Sequence, residues 1–596
     1  MKKHILIAVL LIAMIGSMFY SCKQKTIAPE KSIAQTLSAH VDSFVFCKNK
    51  LIASVEGNAN EAQLQQLFLQ ARLAYKKFEW AAEYFSPATA RLINGPPVEE
   101  VEISSPQVFE PEGLQVIEGY LFPKYNVAQK AELIRQLKML QVDCDKYKSH
   151  FDNIDIFDWQ VFDATKLEVF RIMTLGITGF DDPLSQNSMI EAATSLESVR
   201  SAMAYYTNKD GENLLKKIDM AVAYLKKNTD FNFFNRAAFI TGYGNAITSS
   251  MTDLEKRLKI HVIKYNRLLN QDAKNLFDSG AFNVNAYAPD EPSFVTDKKI
   301  ALGKKLFADP ILSGDNKRSC QSCHQPEKAF TDGLMRNTIF NENKLLARNT
   351  PTLLNAALQP SQFYDLRVTT LEDQSLGVVQ NKNEMHGSMT KAASKIWKNK
   401  TYRQMFSDAF PKKYRTYIDT FEVMNAIASY VRSLISLDSR FDKYMRGDKT
   451  AMSEEEINGF NLFMGKAKCG TCHYMPLFNG TFPPRFIKIE TEVIGVPQLA
   501  GKNVLDSDMG RYNIVRVASF KHSFKTPTVR NASRTAPYMH NGAFATLEQV
   551  LDFYNKGGGN GLGLKMDNQT LPFDKLDLTQ KESKEIIAFI KSLDSK

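Results

Sequence analysis

The chain has 596 residues, of which 44% are hydrophobic and 23% charged, with a formal net charge of +10. That length allows about three to four domains, and the composition excludes a disordered chain and supplies a sizeable core. The lysines are scattered rather than clustered, so the positive excess reads as a solvated surface. Nucleic acid is not an expected partner.

Lys2, Lys3 and His4 precede an apolar run from Ile5 to Phe19, too short and too early to be a membrane span and suited to an export signal. The run ends at Phe19-Tyr20-Ser21-Cys22. A small residue before cysteine predicts lipoprotein processing over residues 1–22, with Cys22 as the acylated N-terminus. Phe19 and Tyr20 fit that signal poorly, which leaves an uncleaved anchor as the alternative. Either way the globular part is expected outside the cytoplasm, as a periplasm-facing or cell-surface, membrane-anchored lipoprotein.

Residues 23–276 carry long helical periodicity with few Gly or Pro. Leu64, Leu67, Phe68, Ala71 and Tyr75 repeat as one buried helical face should. Few alternating β-rich runs occur, so this region is predicted to be a helical bundle. Cys47 and Cys144 fall within it, and either a disulfide in an oxidising compartment or two buried thiols fits the sequence. A linker is expected over 277–294, where Gly, Asn and Pro gather.

Two Cys-x-x-Cys-His motifs follow, Cys320-Gln-Ser-Cys323-His324 and Cys469-Gly-Thr-Cys472-His473. Each is a signature for covalent c-type haem, with two thioethers to the porphyrin and the histidine as proximal iron ligand. A zinc or redox Cys-x-x-Cys with a chance histidine is the bland alternative. In a chain with seven cysteines and nine histidines two such coincidences are improbable. Gly303-Lys-Lys-Leu306-Phe307 leads into the first motif and Gly459-Phe-Asn-Leu462-Phe463 into the second. This weak duplication predicts two haem modules, over 295–450 and 451–596. Ser453 with Glu456 and Thr579 with Glu582 are capping boxes. The final helix offers Ile586, Ile587, Phe589, Ile590 and Leu593 for packing. The predicted fold is mainly α: an N-terminal helical bundle followed by two cytochrome c-like haem domains.

The stretches Phe307-Ala-Asp-Pro-Ile-Leu-Ser313, Ala329-Phe-Thr-Asp-Gly333, Arg348-Asn-Thr-Pro-Thr352, Leu371-Glu-Asp-Gln374, Asn383-Glu-Met385, Pro527-Thr-Val-Arg-Asn531 and Thr535-Ala-Pro-Tyr-Met-His-Asn-Gly542 flank the motifs in order. Together they resemble the bacterial di-haem cytochrome c peroxidase/MauG family over residues ~280–596. The resemblance implies a peroxidatic haem at His324 and an electron-transfer haem at His473. It matches Gln374 and Glu384 to the distal glutamine and glutamate. A carboxylate there can take a proton from one peroxide oxygen and return it to the other, while the amide holds peroxide or water. It also implies a calcium ion between the haems, held by Asn349 and by the carbonyls of Thr535 and Pro537. His540 would contact a haem propionate.

Three departures stand out. Tyr364 occupies the place of an inter-haem tryptophan, and its oxidation is coupled to loss of the phenol proton. Val378 replaces a distal proline. No histidine lies between His324 and His386, and His386 matches the family's distal-histidine loop poorly, which predicts a peroxide site open in the oxidised protein. Counting seventeen residues from Pro537, as the family does for the sixth ligand of the second haem, reaches Tyr554. Thr546 and Gln549 can start a helix whose Leu547, Val550, Leu551 and Tyr554 share a face. Met539 is the competing ligand.

In the N-terminal region Gly113-Leu-Gln115-Val-Ile-Glu118 is similar to the Gly-x-His-x-x-Glu block of imelysin-like helical proteins. Glutamine replaces the histidine, so a buried polar pair is expected rather than a metal site. The resulting expectation is a peroxidase that reduces hydrogen peroxide with electrons from a small c-type cytochrome or cupredoxin. The rivals are MauG-like oxidation of a partner protein's side chain, and a non-enzymatic di-haem carrier. A homodimer stays open.

Overall fold

The computed structural model describes residues 28–102, 107–207, 211–412, 414–571 and 574–595. The expected export signal and Cys22 lie outside the described residues. No described helix is long and apolar enough to cross a membrane. The molecule is mainly α, with two short two-stranded sheets among the described residues.

The N-terminal region is mainly helical. Its principal helices are α1 (Pro29–Glu56), α2 (Glu61–Lys76), α3 (Glu79–Phe85), α4 (Pro87–Asn94), α5 (Leu114–Leu121), α6 (Lys130–Asn153), α7 (Asp158–Arg171), α8 (Ser188–Ala204), α9 (Glu212–Lys227), α10 (Arg236–Phe239) and α11 (Asn245–Arg257). The antiparallel strands β1 (Glu100–Glu102) and β2 (Gln107–Phe109) interrupt them. In α2 the Asn60 side chain accepts from the Gln63 amide, and the predicted face of Leu64, Leu67, Phe68, Ala71 and Tyr75 is buried. A charged network crosses these helices. Arg72 pairs with Glu191, Lys76 with Glu79 and Asp181, and Arg171 with Asp181. Buried pairs of this kind repay their desolvation only where the geometry and hydrogen bonding are good.

Gln115 and Glu118 are both buried but do not pair with each other. Gln115 donates to the Asn94 carbonyl at 2.9 Å, and Glu118 accepts from the Ser185 amide at 2.9 Å. Cys47 and Cys144 are free thiols, so the disulfide considered from the sequence does not form. The reason is angular. Lys48 faces α6, reaching Gln141 Oε1 at 2.6 Å, and Cys47, about 100° round the α1 helix from it, points away from that contact.

The first haem module contains α12 (Asp297–Ala308), α13 (Leu371–Gln380), α14 (Met389–Lys398), α15 (Lys400–Ala409) and α16 (Thr420–Arg432). The short α17 (Arg440–Met445) leads to the second, with α18 (Glu454–Phe463), α19 (Leu547–Asn555), α20 (Gly558–Gly561) and α21 (Gln580–Ser592). Strands β3 (Thr491–Glu492) and β4 (Phe524–Lys525) pair antiparallel. The capping boxes of Ser453 with Glu456, Thr546 with Gln549 and Thr579 with Glu582 are all formed.

The duplication is physical. A Cβ on Gly303 would lie 1.9 Å from the Ala426 carbonyl of α16, and one on Gly459 would lie 1.9 Å from the Glu585 carbonyl of α21. Each haem motif is therefore preceded by a helix that crosses its module's last long helix backbone to backbone. The cores divide unevenly. Leu302, Leu306, Val423 and Ile427 form a core of the first module, whereas one apolar core runs from the N-terminal helices through Phe441 of α17 into Phe460, Phe463, Phe478 and Phe589 of the second.

Candidate functional site

Each Cys-x-x-Cys-His motif folds as a single 3₁₀ turn, at Cys320–Ser322 and at Cys469–Thr471. The His324 amide closes onto the Cys320 carbonyl and the His473 amide onto the Cys469 carbonyl, both at 2.9 Å. This wraps the two thiols and the imidazole onto one wall. Both motifs line a common cavity of about 2680 Å³.

The side chains present fit two covalently attached haems. His324 Nδ1 lies 2.9 Å from the Phe330 carbonyl, and His473 Nδ1 lies 2.9 Å from the Pro527 carbonyl. Donation through Nδ1–H leaves Nε2 as the free lone pair, the tautomer an iron ligand requires. Burial lowers both imidazole pKa values, that of His473 to about 4, which keeps the rings neutral. The four thiols are unpaired. Among the described residues no three His, Cys, Asp or Glu side chains converge on a metal position. Phe307 packs 6.5 Å from His324 and Phe463 6.3 Å from His473, so the duplicated Gly-x-x-Leu-Phe blocks end on equivalent contacts.

Gln374 and Glu384 both line the cavity. Helix α13 carries Gln374, with Thr370 as its N-cap, and buried Glu372 locks it to α16 through Arg432 at 2.7 and 2.8 Å. The helix ends at Asn381, whose amide donates to Glu384 Oε1 at 2.7 Å. Arg318 donates to the Glu384 carbonyl at 2.9 Å. Burial raises the Glu384 carboxyl pKa, and the Arg367 charge and the Asn381 hydrogen bond hold it partly down. Asn381, Arg318 and Arg367 were not singled out from the sequence, because nothing in their local spacing marks them. Val378 also lines the cavity. His386 is exposed, stacked edge-on to Phe340 at 5.7 Å, and is not among the lining residues.

Tyr364 lines the cavity at the seam between the modules. Its carbonyl accepts from the Lys525 amide of β4 at 2.7 Å. Burial raises its phenol pKa above the ordinary range. Around it Arg348 pairs with Asp365 at 2.6 Å and Asp508 at 2.7 Å, and Arg511 donates to the Asp365 carbonyl at 2.9 Å. These contacts hold the two modules in one orientation.

Asn349, Thr535 and Pro537 line the same cavity. The Asn349 amide nitrogen donates to the Leu334 and Met335 carbonyls at 2.9 and 3.2 Å, which directs its oxygen the other way. His540 stacks on Phe524 at 3.7 Å and meets Asp506 at 3.2 Å. Leu547, Val550, Leu551 and Tyr554 all face the cavity from α19. Burial raises the Tyr554 pKa, as do the nearby Cys472 and Cys469 thiols and Glu492. Met539, in a left-handed backbone conformation, lines the cavity as well.

Residues 297–450 match the family model described as di-haem cytochrome c peroxidase. The methylamine utilization protein MauG of Methylorubrum extorquens is 33% identical over 299 residues, covering 50% of this chain and 79% of that protein. The cytochrome c551 peroxidase of Nitrosomonas europaea is 33% identical over 254 residues, covering 42% and 71%. A solved MauG-like protein associated with microbial copper homeostasis is 30% identical with a TM-score of 0.46, covering 51% of this chain and 91% of that one. The chain belongs to the di-haem cytochrome c peroxidase family, and it is an oxidoreductase of that class.

Proposed function

We propose that the protein reduces hydrogen peroxide to water, taking two electrons from a small c-type cytochrome or cupredoxin. The observation that carries this reading is Glu384: a half-buried carboxyl of raised pKa, oriented by Asn381 and lining the haem cavity. When bound, the haems supply the iron redox chemistry. Glu384 accepts a proton from one peroxide oxygen and returns it to the leaving oxygen. Gln374 orients peroxide or water by its amide. Tyr364, held at the seam by Lys525, stands in the electron path, and its phenol proton must move when it is oxidised. Asn349, with the Thr535 and Pro537 carbonyls, would hold calcium through hard oxygen donors. The work is assigned to the periplasm or cell surface, with Cys22 as the membrane anchor.

One observation favours the MauG-like reading. Tyr554, near both cysteines of the second motif, would lower that haem's potential as a phenolate ligand and suit oxidation of a partner protein's side chain.

Steady-state turnover of peroxide with a reduced cytochrome tests the peroxidase reading, alongside the spin state of the ferric protein. The expected result is turnover together with a high-spin ferric haem that binds cyanide without pre-reduction. Two low-spin ferric haems that react only after adding one electron would place a distal ligand over the site.

A further inference from the structure

Arg72, Arg236, Arg432 and Arg530 are among the largest fully buried side chains. Three are neutralised by a carboxylate: Arg72 by Glu191, Arg432 by Glu372 and Arg530 by Asp442. Arg236 has no such partner among the described residues. Its Nε donates to the Ile177 carbonyl at 2.8 Å, and its two terminal nitrogens to the Phe234 and Phe231 carbonyls at 3.2 and 2.9 Å. The guanidinium also sits 4.7 Å over the Phe231 ring. An interior charge without a counter-charge is costly even when hydrogen-bonded.

The charge sits where the N-terminal helices meet the second haem module. A Cβ on Gly465, four residues before Cys469, would come within 2.5 Å of the Arg236 guanidinium. Helix α10, which begins at Arg236, packs on α18, the helix leading into the second motif. The helical turn at Ile172–Gly176, just before the Ile177 carbonyl, packs on Cys469–Thr471. Phe231 and the segment Thr178-Gly179-Phe180 line the haem cavity. The Phe180 ring lies 6.0 Å from Tyr474, the neighbour of His473.

We propose that Arg236 is a positioning residue of the second haem site, an uncompensated buried positive charge that the N-terminal helices contribute to raise that haem's reduction potential. This rests on the reading that His473 ligates an electron-transfer haem. Ferrous haem carries one positive charge fewer than ferric, so a nearby cation favours the reduced form, and a low-dielectric interior screens it little. Burial lowers the Arg236 pKa only to about 9, so the charge persists at neutral pH. It opposes the effect of phenolate ligation by Tyr554, leaving the second haem better able to accept an electron.

The test is spectroelectrochemical titration of the full-length protein carrying both haems, with Arg236→Met and Arg236→Lys. Removing the charge in Arg236→Met should lower the second haem's potential so that its reduced-to-oxidised ratio at fixed applied potential falls about tenfold, 59 mV for a one-electron couple. Arg236→Lys keeps the charge and should stay within about threefold of wild type, about 30 mV by the same relation, and the first haem should not move in either variant. Equal shifts in both variants, or none, would overturn the proposal. Should Arg236→Met fail to fold, Asn461→Asp serves instead. Asn461 Oδ1 accepts from the Ala237 amide at 3.0 Å, so the variant sets a carboxylate of the same shape against the first turn of the helix that Arg236 opens. An unchanged second potential there would equally overturn the proposal. The titration reads haem potentials whether or not peroxide turns over, so loss of the peroxidase reading leaves it interpretable. A chain carrying only one haem would remove the site itself.

Discussion

At the residue scale, Glu384 is a carboxyl whose burial opposes ionisation while Arg367 and Asn381 favour it. Glu384→Gln keeps the shape but cannot carry the proton. Peroxide turnover should fall ~10²–10⁴-fold with both haems still attached; turnover within a few-fold of wild type would remove Glu384 from the mechanism. The pH dependence has a definite sign. The base form is the carboxylate, so turnover should rise with pH through a pKa above the usual carboxylate range. Arg367→Met removes a charge that lowers this pKa, so the acid limb of kcat/KM should move to higher pH; a limb that stays put or moves lower would detach it from Glu384. Tyr554 sets the character of the other haem. With Tyr554 as sixth ligand, the red charge-transfer band of ferric His/Met haem should be absent, and Tyr554→Phe should alter the spectrum of the low-potential haem. Seeing that band, and losing it only in Met539→Leu, would assign the ligand to Met539.

At the scale of elements, each haem motif depends on a helix crossing that only glycine permits. Gly303 meets the Ala426 carbonyl and Gly459 the Glu585 carbonyl at distances no Cβ can occupy. Gly459→Ala must separate α18 from α21 or bend one of them, at a cost of ~1–3 kcal/mol. The expected outcome is a lower thermal unfolding midpoint and a disturbed second-haem spectrum with the first haem intact. An unchanged midpoint would show that the crossing can relax. The haem motifs, the caps at Ser453, Thr546 and Thr579, and the buried face of α2 were legible in the sequence because each is a local rule of spacing or hydrogen bonding. Cys47 and Cys144 were not resolvable in that way, since their separation depends on the rotation of α1 against α6.

At the scale of the whole molecule, the hydrophobic core joins the N-terminal helices to the second haem module and gives the first module a core of its own. Phe180 against Tyr474, Arg91 against Glu490 at 3.6 Å, and Asn461 under Ala237 all cross that boundary. Unfolding followed at each haem should therefore resolve two transitions. The native ligation spectrum of the second haem should be lost together with the N-terminal helical signal, and that of the first separately. A single transition for both haems, with the N-terminal helices melting apart, would contradict the shared core.

The sequence by itself determined the covalent haem chemistry, the mainly α character, the duplication and the identity of the residues offered to the site, because all are written in short motifs and ordered blocks. Only the tertiary structure decided which groups act on them. Asn381, Arg318 and Arg367 surround Glu384, Lys525 holds Tyr364, and Arg236 reaches the second haem wall from more than two hundred residues upstream of Cys469. Burial and charge act through space, so a carboxyl's pKa or an arginine's missing partner is set by side chains that the order of the chain does not bring together.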